Sequence, residues 1–228
     1  MDDQLIRVFE LSSISLTAIL LLTGMSRIQI LYLFAASTSQ GLTLEYLFHR
    51  LGKYRYPMEE FMLKLPLEGY PPLSVVLGYF WFYSIPFHLS AGIIEKFRLG
   101  SPALIISLML LSSLAAELII DNLFTRIGLW RYDGRRRMIG LIPVGVASTV
   151  PAFMTVSLFL AYYSPLISAG IGFVQGLILA AAAAVLGGLA VCGLRMLKGL
   201  PGWARLIMPC TAAYATLNLC YLALRGPG

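Results

Sequence analysis

The sequence predicts an all-α integral membrane protein with seven transmembrane helices, and three observations carry that expectation. Hydrophobic residues make up 58% of the 228 residues and charged residues only 12%, about half the charge of an ordinary soluble domain. Mean hydropathy is +0.80. Apolar stretches near the roughly 20 residues that a helix needs to cross a bilayer recur seven times, and alternating strand-like patterning is absent from them.

The stretches are 8–25, 28–49, 71–94, 102–126, 139–162, 166–193 and 204–224. The opening MDDQLIR is acidic and no small-residue cleavage site ends the first apolar run, so the first stretch reads as a retained span rather than a signal peptide. Pro71 and Pro72 open the third stretch and Pro86 interrupts it, while Pro143 and Pro151 fall in the fifth. Membrane helices tolerate such prolines when neighbours satisfy the freed carbonyls. The sixth contains LILAAAAAVLGGLAVCGL, whose small side chains suit close helix packing. The whole chain, 1–228, reads as one domain.

Lysine and arginine set the expected orientation. Thirteen of the 17 fall on one side of this scheme, from Arg7 through the 50–64, 126–137 and 195–205 connections. Only Arg27, Lys96, Arg98 and Arg225 fall on the other. The positive-inside rule then places the N-terminus in the cytoplasm and the C-terminus across the membrane. The net charge of +6 follows this pattern between apolar runs rather than that of a nucleic-acid surface. The Arg135–Arg137 cluster suits anionic headgroups, so membrane lipids are expected partners. Cys192, Cys210 and Cys220 lie inside apolar stretches without metal-ligand spacing, and His49 and His88 are far apart, so no metal site is expected.

One sentence is written twice. EYLFHRLGKYRY (45–56) and DNLFTRIGLWRY (121–132) align without gaps at an offset of 76, sharing Leu, Phe, Arg, Gly, Arg and Tyr, and both open on an acid. The copies end helices running the same way, which predicts parallel repeat units at about 28–94 and 102–162. Each acid precedes an arginine by five residues, which places Glu45 and Asp121 on the order of 7 Å inside the boundary at 1.5 Å rise per residue. Glu117 sits one turn deeper on the same face as Asp121. Acids at that depth are functional candidates, since their ionised form is costly there.

Two readings of the acids stand side by side. In one, Glu45 pairs with His49, Arg126 or Arg131 and Asp121 with Arg50 or Arg55, locking the halves together. In the other, at least one acid is kept neutral by apolar surroundings and donates its proton. On the third stretch, Tyr79, Trp81, Phe82 and Tyr83 are candidates to line a cavity and stabilise a transient cation. Tyr54, Tyr56, Trp130 and Tyr132, at the motif ends, are candidates to close its mouth. For both sets, ordinary interfacial or lipid-facing roles remain the alternative. Glu59 and Glu60 read as solvated loop acids.

An acid near a helix end, followed by Gly52-x-Tyr54-x-Tyr56 or Gly128-x-Trp130-x-Tyr132, on a seven-span chain, resembles the integral membrane carotenoid-biosynthesis superfamily. That group holds the CruF-type carotenoid hydratases and the membrane lycopene cyclases; small membrane-bound terpene cyclases are similar in size and in reliance on two acids. The likeness covers about residues 40–150. It implies a cofactor-free and metal-free hydratase (lyase) or cyclase (isomerase) acting on a lipophilic isoprenoid, with Glu45 and Asp121 as motif acids and Glu117 beside them. The chain departs from the cyclases in beginning its fifth stretch GLIPVGVAS, with PMEEF instead directly after the first motif. From the hydratases it keeps only the proline of that region.

Other classes predict different features. A small SWEET-like transporter would share parallel repeats but would carry a Pro-Gln signature, which is missing. A retinal-binding protein needs a lysine in its last span, and 204–224 has none. A non-catalytic membrane scaffold would need the duplication without the chemistry.

Overall fold

The computed structural model of the chain describes residues 3–23, 26–50, 61–64, 71–129, 132, 138–196 and 201–225. Within them the chain is helical: α1 (Asp3–Thr23), α2 (Arg27–Arg50), α3 (Leu73–Phe97), α4 (Pro102–Arg126), α5 (Val144–Tyr162), α6 (Ser164–Ile171), α7 (Phe173–Met196) and α8 (Gly202–Arg225). Four of these are long and apolar enough to cross a membrane: α1 over Gln4–Leu22, α3, α4 and α5.

Two of the expected stretches begin or divide differently from the hydropathy. The fifth opens with a small antiparallel hairpin, β1 (Met138–Ile139) and β2 (Ile142–Pro143), and its helix starts only at Val144. Gly140 turns the hairpin at φ 63°, a left-handed value that favours glycine. The Leu141 N–H donates to Asn122 Oδ1 at 2.6 Å, which ties the hairpin to the end of α4. The sixth stretch, 166–193, is two helices rather than one. Gly172 between them has φ 87°, which no α-helix contains, so the chain turns where hydropathy alone sees continuity.

Packing puts α2 and α5 at the centre. α2 lies against α3, α5 and α7, α5 also against α4 and α8, and α1 rests on α3. The main core is built from Leu33, Phe80, Tyr83, Phe87, Ile106, Met109, Met154 and Phe159 among others. The distribution of polarity is the reverse of a water-soluble protein's. Glu10, Gln40, Glu45, Glu117 and Asp121 are buried, while Leu22, Leu111, Ile119, Ile178 and Leu219 stand exposed. Apolar surface at this density needs a partner or a lipid phase to cover it.

Glu10 shows how an inward acid is accommodated. It is fully buried on α1, and its two carboxylate oxygens accept the backbone N–H groups of Met62 and Leu63, each at 3.0 Å. Leu63 in turn accepts the N–H of Leu73 at the start of α3. One carboxylate thus straps the segment 61–64 to two helices. Glu10→Leu leaves the two N–H groups without their acceptor, so it is expected to cost about 1–3 kcal/mol for each that stays dry. Thermal unfolding in detergent and the rate of proteolysis near residue 62 measure the loss.

Candidate functional site

The inner helices bring their acids together because each carries a polar residue on an otherwise apolar inward stripe. On α2 the stripe is Leu33, Ala36, Gln40, Leu44 and Glu45; on α3 it is Val76, Phe80, Tyr83 and Phe87; on α4 it is Ile106, Met109, Ser113, Glu117 and Asp121. Residues three and four apart share a helix face, so these stripes follow from α-helical spacing. Glu45, Glu117 and Asp121 are only 3%, 2% and 4% exposed.

Glu45 and Asp121 each accept a short hydrogen bond from a tyrosine. The Tyr79 hydroxyl donates to Glu45 Oε1 at 2.6 Å, and the Tyr132 hydroxyl to Asp121 Oδ2 at 2.7 Å. The first depends on Gly41, one turn before Glu45: a Cβ there would stand 2.8 Å from the Tyr79 ring. Glycine lets the ring lie flat along α2 and its hydroxyl reach the acid one turn on.

Glu117 and Asp121 begin and end a π-helical turn inside α4, Glu117–Asp121. Its i→i+5 bonding widens the helix, and such turns recur at functional sites. The two acids are in direct electrostatic contact. The Tyr83 hydroxyl, fully buried on α3, lies in the field of both Glu117 on α4 and Glu45 on α2. It has no hydrogen-bond partner among the described residues.

The aromatic candidates divide by face. Tyr79 and Tyr83, four apart, both look toward the acids, with ring centroids 5.8 Å apart. Phe82 flanks them, its ring 6.0 Å from that of Tyr83. Trp81 belongs elsewhere: its indole N–H donates to Ser13 Oγ on α1 at 3.2 Å, and it packs edge-on against Phe124. Two residues along a helix is about half a turn, which sends it to the opposite side of α3 from the acids. Tyr54, Tyr56 and Trp130 lie outside the described residues, as do the side chains of His49, Arg50 and Arg131.

The sequence reading did not single out Gln40, Gly41, Ser113 or Glu10. The signal for three of them was present. Gly41 and Ser113 each stand four residues before an acid, Glu45 and Glu117, and Gln40 stands within an apolar stretch.

Fold and site together define a class: an all-helical bundle, with helices of membrane-crossing length, enclosing three carboxylates and the tyrosines that contact them. No family profile, curated protein or solved structure matches the chain.

Proposed function

We propose that this chain is a multi-pass membrane enzyme of isoprenoid or carotenoid metabolism that protonates a substrate alkene with a buried carboxylic acid. The observation that carries the reading is the burial of Glu45, Glu117 and Asp121, all but excluded from solvent, with Glu45 and Glu117 near the Tyr83 hydroxyl and Asp121 beside Glu117. Acid residues buried this deeply in an apolar bundle are costly to keep and are a recurring mark of chemistry.

In this reading the bundle crosses the membrane seven times with its N-terminus in the cytoplasm, and the duplicated motifs face the cytoplasmic side. A polyene or prenyl chain enters among the inner helices. One acid donates its proton to an alkene carbon, and a tertiary cation develops on the neighbouring carbon. The faces of Tyr79, Phe82 and Tyr83 stabilise it through their quadrupoles, and the remaining carboxylates through their charge. Exclusion of bulk water keeps the cation from being trapped at random. The cation is then captured by water or by an internal alkene. No cofactor takes part in this scheme.

Incubating the purified protein with acyclic polyene and prenyl substrates in D2O tests it. Deuterium is expected in a product that is either a hydrate or a ring-closed isomer, and both Asp121→Asn and Glu45→Gln are expected to lose that activity while eluting as folded protein. Undiminished turnover in both variants and in Glu117→Gln rejects the acid mechanism. Absence of any turnover, with solute uptake into proteoliposomes, favours a transporter instead.

A further inference from the structure

Beyond the acids, the inward stripes carry a second set of polar atoms at one level of the bundle. Gln40, Tyr83 and Ser113 are each fully buried, and Gln40 Nε2, the Tyr83 hydroxyl and Ser113 Oγ have no hydrogen-bond partner among the described residues. They come from three different helices. The helix register brings them close: the Tyr79 ring lies on Gly41, next to Gln40, and Tyr83 is one turn along from Tyr79. On the other side the Ser112 hydroxyl contacts the Pro86 carbonyl at 3.4 Å, which sets Ser113 within about one turn of Tyr83. The Gln40 amide is also oriented. Ser157 on α5 donates to its Oε1 at 3.1 Å, and the buried NH2 group is left without a partner among the described residues.

Three buried polar groups left unsatisfied on separate helices are expensive, and native proteins keep few of them. Leu33, Phe87, Ile106 and Met109 continue the same stripes beyond them, away from the acids, and are fully or nearly fully buried. The polar set is therefore bounded by apolar side chains on one side and by Glu45 and Glu117 on the other.

We propose that Gln40, Tyr83 and Ser113 form the seat of a neutral hydroxyl oxygen beside the acids: water before reaction, and the alcohol of the hydrated isoprenoid after it. The seat supplies an amide N–H and two hydroxyls that donate or accept. That set suits an uncharged oxygen with two lone pairs and at least one proton. It rests on the reading of the acids as a protonation site, and it selects hydration over ring closure. The step balances without a redox partner. The carboxylic acid O–H gives its proton to one alkene carbon, and the π pair becomes the new C–H bond. A lone pair on the seated water forms the C–O bond at the other carbon. The resulting oxonium returns one proton to a carboxylate, so alkene plus water gives alcohol and the acid is restored.

The test is equilibrium binding to the detergent-purified protein of two probes with one skeleton: geranyllinalool, an acyclic tertiary alcohol, and the polyene left by its dehydration. The wild type is expected to hold the alcohol roughly tenfold more tightly, the size of one or two net buried hydrogen bonds. Tyr83→Phe, which preserves shape, and Gln40→Leu and Ser113→Ala are each expected to bring the preference to within about twofold, with polyene affinity retained as the sign of an intact fold. Equal binding or none by the wild type overturns the seat, and so does a preference that survives in all three variants. Binding is independent of turnover, so the two readings fail separately. Alcohol preference without deuterium incorporation keeps the seat and removes the enzyme, whereas turnover without the preference does the reverse.

Discussion

Glu117→Gln is expected to lower turnover by roughly 10²–10⁴-fold, the usual contribution of a positioned general acid or base, while leaving the helices assembled. Glutamine matches glutamate in size and keeps its hydrogen-bonding atoms, but it has no carboxyl proton to give. Of the three acids Glu117 is the most enclosed, at 2% exposure, and it opens the π turn that also holds Asp121. It is also the acid whose field reaches both Asp121 and the Tyr83 hydroxyl. Product formation gives the rate, and thermal unfolding in detergent gives the stability. The two measurements separate catalysis from architecture. If Glu117 is instead half of a structural ion pair, its neutralisation strands a buried charge, and stability falls by about 3–5 kcal/mol. Full turnover in that variant would move the proton donor to Glu45 or Asp121.

Gly176→Ala is expected to destabilise the bundle by about 1–3 kcal/mol, the cost of overpacking a tight interface. The Tyr32 hydroxyl occupies the space a Cβ would need at Gly176, and it is held there by a 2.9 Å hydrogen bond to Ser168 on α6. Any side chain at 176 must lever α2 away from α7 or break that bond. Alanine also gains up to about 1 kcal/mol of helix propensity over glycine, which is too little to reverse the sign. Thermal unfolding of Gly176→Ala, Tyr32→Phe and the pair together measures the effect. Partial recovery in the double variant relative to Gly176→Ala locates the clash at the hydroxyl, and a more stable Gly176→Ala would refute the packing argument.

These interfaces show how far a linear reading reaches. Helix is legible throughout because long apolar runs leave the backbone no better way to satisfy its N–H and C=O groups away from water. The division at Gly172 is not, since a glycine in an apolar run reads as continuous helix until its φ is known. The burial of the acids is legible, because residues such as Glu45 and Asp121 stand within apolar stretches. Their partners are not. Glu45 takes a hydroxyl from Tyr79 on the following helix, and Asp121 takes one from Tyr132 at the end of its own motif. At the same offset from Tyr79 lies Thr155, whose hydroxyl instead bonds the Pro151 carbonyl in its own helix. The Tyr79 contact thus has no counterpart at Thr155.

The amino-acid sequence by itself determined the helical class, the apolar stretches and the withdrawal of Glu45, Glu117 and Asp121 from water, because hydropathy and helical period are local properties of the chain. Only the tertiary structure decided that Trp81 turns to α1 while Tyr79 and Tyr83 turn to the acids. The tertiary structure also decided that Glu117 and Asp121 share a π turn and that Gln40, Tyr83 and Ser113 are buried without hydrogen-bond partners among the described residues. The physical reason is that partners across a bundle are chosen by helix register and by the closeness that residues such as Gly41 and Gly176 permit, and register is a relation between helices that no single stretch encodes.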